Sequence, residues 1–105
     1  MRWLEYGQRL RLGRRGVLAD PAGSVARALL QAATAGGAAA LGVETGRIEA
    51  GRWADLVAID LETPALAGLD ADHLLEGLAF GAAEPAVWGT AVGGAWRRRG
   101  EAIDP

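Results

Sequence analysis

His73 is the chain's one histidine, and it stands among acids, with Asp70, Asp72 and Glu76 all within three residues of it. An imidazole beside a carboxylate is the common pair for moving a proton near neutral pH, so the cluster has the chemistry of a general acid or base. The same residues also precede Leu74, Leu75 and Leu78, and an Asp ahead of an apolar helical run caps that helix by accepting a backbone amide. A solvated first helical turn is the simpler expectation. A zinc centre takes three or four His, Cys, Asp or Glu ligands, and one histidine with no cysteine does not spell such a set. Ser24 has no histidine–acid arrangement around it in sequence, so it reads as a helix cap and not as a nucleophile.

Three further groups are weighed the same way. Asp55 and Asp60 flank an apolar run, where paired carboxylates could do acid–base work, but strand-end hydrogen bonding is expected. Arg97, Arg98 and Arg99 form the one concentrated charge run, an anion site or, more simply, a solvated rim. Residues 42–51, "GVETGRIEAG", are glycine-rich but precede a strand, without the strand–loop–helix order of a phosphate cradle. No residue of the chain is assigned a catalytic or metal-binding role from these patterns, and none is assigned to substrate.

The composition agrees with an ordinary globular protein: 105 residues, 50% hydrophobic, 23% charged, formal net charge −2. That balance makes neither nucleic acid nor a membrane surface the expected partner. Arg9, Arg11, Arg14 and Arg15 are spread over helix and loop and offset by acids. The four tryptophans lack the spacing of a base-stacking platform. Absence of cysteine rules out disulfides and thiolate chemistry. The opening "MRWLEYGQRLRL" has charges throughout and is not expected to be a signal peptide, and the weakly polar "AATAGGAAALGV" is too short to span a bilayer. A cytoplasmic location is expected.

These residues must be positioned by a short list of elements. Trp3, Tyr6 and Leu10 recur at helical spacing over residues 2–12, with Leu4 and Leu12 widening the stripe and Arg2, Glu5, Arg9 and Arg11 on the remaining surface. Ser24 caps a helix whose face is Val25, Ala28, Leu29 and Ala32, and Thr34 caps a separate short helix through Leu41, closed by a left-handed Gly42. Gly46 and Gly51 permit turns, with Ile48 pointing into a core between them. Residues 54–60 read as a strand apolar on both faces through Leu56, Val57 and Ile59, one that wants cover on both sides. A loop over 62–69 leads to the helix capped by Asp70 or Asp72. Val87, Val92 and Trp96 then belong to a hairpin turning at Gly93-Gly94. Three strands make a poor sheet with open edges, and the first helices have apolar faces with nothing obvious to receive them.

Residues 34–60, "TAGGAAALGVETGRIEAGRWADLVAID", resemble the C-terminal signature of the amidohydrolase superfamily at Thr34, Ala38, Leu41, Gly42, Gly46, Ile48, Gly51, Ala54, Asp55, Leu56, Val57 and Asp60. More narrowly, "RWLEYGQRLRL" and "EPAVWGTAVGGAWRRRGE" resemble segments of the formimidoylglutamate deiminases within that superfamily. The resemblance implies an α/β fold class: residues 1–45 as the last helices of a (β/α)8 barrel, and residues 46–105 as the C-terminal part of an accompanying small β-sandwich, with one helix. It implies a chain that is the C-terminal fragment of a metal-dependent hydrolase, the strand at 54–60 being central in a sheet completed from elsewhere. The family's zinc-type ion, held by histidines and an aspartate, activates water for attack on a C–N bond. Here that would convert N-formimidoyl-L-glutamate to N-formyl-L-glutamate and ammonia in histidine degradation. None of those ligands can be placed in this chain. Arg2, Tyr6 and Gln8 lie nearest the missing site and carry no assigned role. The expectation is therefore a whole enzyme with a zinc or other divalent cofactor, a small-molecule substrate and a homodimeric state. The isolated chain is expected to bind no metal, to be inactive and to pack loosely. The rivals are a purine or triazine deaminase of the same superfamily, and a non-catalytic dimerisation module.

Overall fold

The structure is a computed structural model, and it describes residues 1–81 and 86–99. Four helices lie on one side and an antiparallel sheet on the other. Helix α1 (Arg2–Leu12) ends where Gly13 turns left-handed and returns its amide to the Arg9 carbonyl at 2.8 Å, the stop signal that glycine supplies. Helix α2 (Val25–Gln31) starts where the Ser24 hydroxyl accepts the Arg27 amide at 3.1 Å, as expected of its type and position.

The chain does not break at Thr34. A π-turn (Ala32–Gly36) carries α2 directly into α3 (Gly37–Leu41). Thr34 is no cap: its hydroxyl donates to the Leu30 carbonyl at 2.7 Å, one turn back, the local bond that lets threonine sit inside a helix. Gly42 ends this helix at φ 69°, as expected. The buried side of α2 is Ala26 and Leu29, while Ala32 is exposed.

The sheet runs β1 (Leu56–Ile59), β2 (Val87–Val92), β3 (Ala95–Arg99) in that order, all antiparallel. Thus β1 is an edge among the described strands, and Leu56 and Val57 are exposed. The hairpin turns at Gly93 and Gly94, φ 57° and 80°. That pair of positive angles matches the right-handed strand twist and admits glycine freely. Helix α4 (Leu74–Glu76) passes into a second π-turn (Gly77–Gly81). The expected loop over 62–69 hides a core residue: Leu66 is buried against Ala86, with Ile59 and Leu78 packed around it.

Helix α1 is turned inside out. Its charged side faces the rest of the chain: Glu5 is 0% exposed, and Arg2 donates to the Phe80 carbonyl. Most of its apolar side faces away, with Trp3 77% and Leu10 85% exposed, while Tyr6 of the same stripe packs on Phe80, ring centroids 5.9 Å apart. Ile48, expected inside, is 94% exposed. Large exposed apolar groups gathered on one helix face are the mark of a surface made to be covered.

Candidate functional site

His73 and Asp70 do pair, on the solvated turn that the simpler expectation describes. His73 Nδ1 lies 2.6 Å from Asp70 Oδ1, which also accepts the His73 amide at 3.0 Å. The Asp70 bond raises the His73 pKa, aided by the charges of Asp70, Asp72 and Glu76; the same bond lowers that of Asp70. Both side chains are largely exposed, with relative accessibilities of 69% and 67%. No pocket encloses them among the described residues, and an aspartate that folds back on the third residue after it is a turn-forming contact. Asp70 therefore organises the approach to α4, whose N-cap is His73.

Ser24 does the work of a cap and donates from its hydroxyl to Glu76 at 3.2 Å, tying α2 to α4. Asp20 accepts the Ser24 amide at 2.8 Å and pairs with Arg27 at 3.3 Å. Asp55 and Asp60 do not converge. Asp55 accepts the Gly93 amide at 2.8 Å, holding the hairpin turn, and Asp60 accepts the Glu62 amide at 2.9 Å, closing the end of β1. Arg97 lines an open groove with Thr45, Trp53 and Asp55. The side chains of Arg98 and Arg99, like residues 82–85 and 100–105, lie outside the described residues.

The most developed electrostatic centre belongs to Glu5, which the helical pattern had placed on the surface. Its Oε1 accepts Arg9 Nε at 2.9 Å, the Gly16 amide at 2.9 Å and the Val17 amide at 3.2 Å; Oε2 accepts the Leu18 amide at 3.0 Å. Burial alone raises the pKa of this carboxyl, but Arg9 and the three amides outweigh it and hold the group below the ordinary glutamate range. Arg9 in turn lies over the Tyr6 and Phe80 rings, 5.3 and 5.4 Å from their centroids, a cation–π placement. So Arg9 is half-buried, while Arg11, Arg14 and Arg15 are exposed. The Glu5–Arg9 spacing of four was the one trace of this in the sequence.

Among the described residues no three His, Asp or Glu side chains gather to hold a metal ion. The residues present do not fit a metal centre. The described side chains form caps, turn clasps and one half-buried ion pair.

The amidohydrolase family profile matches residues 2–96. The chain belongs to the amidohydrolase family, whose members are generally metal-dependent. It is 43% identical over 97 residues to the formimidoylglutamate deiminase of Pseudomonas aeruginosa, covering 91% of this chain and 21% of that protein. It is also 44% identical over 77 residues to a 5-methylthioadenosine/S-adenosylhomocysteine deaminase of Natronomonas pharaonis, covering 72% of this chain and 17% of the relative. A protein described by the same words in Halobacterium salinarum matches at 53% over 49 residues, 47% of this chain and 11% of the relative. The chain thus spans about a fifth or less of the length of these curated relatives.

Proposed function

We propose that this chain is the C-terminal part of a formimidoylglutamate deiminase, an enzyme that hydrolyses N-formimidoyl-L-glutamate to N-formyl-L-glutamate and ammonia in histidine degradation. The observation that carries the reading is the 43% identity maintained over 91% of the chain. In this reading residues 1–45 are the last helices of a (β/α)8 barrel and residues 46–105 the C-terminal part of the small sandwich. Zinc or another divalent ion and its ligands lie elsewhere in the longer polypeptide, which acts as a cytoplasmic homodimer. The outward apolar face of α1 supports it, because a barrel helix must bury one side against neighbouring elements. Among the described residues no helix is long and apolar enough to cross a membrane.

The match to 5-methylthioadenosine/S-adenosylhomocysteine deaminases favours one second reading, an adenosine-type deaminase. Ammonia release by the gene product isolated from its source separates the two. Turnover of N-formimidoyl-L-glutamate with none of 5-methylthioadenosine is expected, and the reverse preference would overturn the first reading. The 105-residue chain alone is expected to act on neither.

A further inference from the structure

Among the described residues the helices pack mainly on one another and the strands pair with one another, with only slight contact between helix and sheet. The two parts meet at the small cluster around Leu66 and through residues 42–55. We infer that this segment is a clasped strap, fastened at both ends, that fixes the sheet relative to the helices.

One end is fastened to the π-turn. Gly46, at φ 81°, lies so close to the helix that an added Cβ would stand 2.6 Å from the Thr34 carbonyl oxygen, below any real contact distance. The π-turn presents that carbonyl, and only a residue without a side chain can lie against it. The middle is drawn in by the Trp53 amide, which donates to the Glu44 carbonyl at 2.9 Å, and by Arg52, which pairs with both Glu44 and Glu49. The other end grips the hairpin turn. Gly94 donates to the Ala54 carbonyl at 2.9 Å and Gly93 to the Asp55 carboxylate at 2.8 Å, with the Trp53 ring lying against Gly93. Gly46 and Asp55, at opposite ends of the segment, thereby acquire one shared task.

Trypsin reads the strap directly, because Arg47 and Arg52 lie within it, and a protease needs a locally opened segment. Gly51 supplies the control. It has nearly the same left-handed backbone, φ 87°, but open space where its Cβ would be. Under brief trypsin treatment of the whole gene product that contains these residues, followed by mass spectrometry, Gly46→Ala is expected to be cut at Arg47 and Arg52 about tenfold faster than Gly51→Ala. Equal rates in the two variants would overturn the inference, as would a wild-type strap already cut as fast as Gly46→Ala. If Gly46→Ala also accelerates cleavage at Arg9 and Arg27, it has unfolded the chain, and Asp55→Ala then decides. That variant loses only the hairpin clasp, so cutting at Arg52 should rise while Arg9 and Arg27 stay unchanged. No rise at Arg52 would overturn the inference.

Discussion

Replacing Glu5 by glutamine is the sharpest perturbation of the helical layer, because it removes a charge and almost no volume. The glutamine carbonyl can take the place of Oε1 and keep Arg9, Gly16 and Val17 as donors, now to a neutral acceptor. Its NH2 group must then face the Leu18 amide, a donor against a donor. A hydrogen bond to a charged group contributes about 1.5–3 kcal/mol against about 0.5–1.5 for a neutral pair, and an orphaned buried amide costs about 1–3 kcal/mol. Since these terms are not additive, the net loss is about 2–4 kcal/mol, the carboxylate being fully buried while its Arg9 partner is half-buried. Amide hydrogen exchange at Gly16, Val17 and Leu18 is the assay, and that loss corresponds to exchange roughly 30- to 1,000-fold faster. Rates within about threefold of wild type would refute the reasoning, for they would mean that the carboxylate does not hold the loop. The pH dependence has a fixed sign. The folded pKa is depressed, so the unfolded chain takes up the proton first. Protection is full above about 4.3, the ordinary glutamate value, and drains away as the pH falls through the lower folded one.

Other outcomes follow from the same structure. Replacing Trp3 and Leu10 together by serine should raise the soluble fraction of the isolated chain and lower its binding of a hydrophobic dye; a loss of more than about 1 kcal/mol in urea unfolding would show that this face is already buried. The His73 ring should titrate above its ordinary value in an NMR pH series and return toward it in Asp70→Asn. The folded pKa being raised, the pair stabilises the chain fully below about 6.5 and loses that contribution as the pH rises through the raised value; an unchanged midpoint in Asp70→Asn would remove Asp70 as the cause. Gly77→Ala should leave the chain less stable than Gly81→Ala, because its added Cβ meets the ends of the Leu69 and Leu66 side chains and these must shift. Gly81→Ala, with open space at that position, should be neutral or slightly stabilising; similar thermal shifts in the two variants would contradict the packing described.

What could be read in the sequence was what neighbours in the chain decide. The span of α1, the Ser24 cap, the left-handed Gly42, the β1 run and the Gly93-Gly94 turn all depend on residues within a few positions of one another. Glu5 escaped because its partners are backbone amides eleven to thirteen residues away, and an amide leaves no mark in the identity of a residue. Thr34 misled because the hydroxyl that suits a cap can equally bond one turn back, and the helix then runs on through Gly36 and Gly37 without ending. Leu66 stood in a short Ala-Leu-Ala stretch between Pro64 and Gly68 with no period to betray it, yet it is buried. The orientation of α1 was illegible for a further reason: its apolar stripe was correctly located, but which side meets the rest of the chain depends on Glu5.

The same inverted helix bears on the central proposal, that these residues are scaffold within a longer deaminating enzyme. The intact mass of the gene product isolated from its source cells tests that most directly. The account predicts a species several times heavier than the 10.9 kDa of this chain, in proportion to relatives of which it spans 21% and 17%. A product of 10.9 kDa, with no larger species containing these residues, would contradict it.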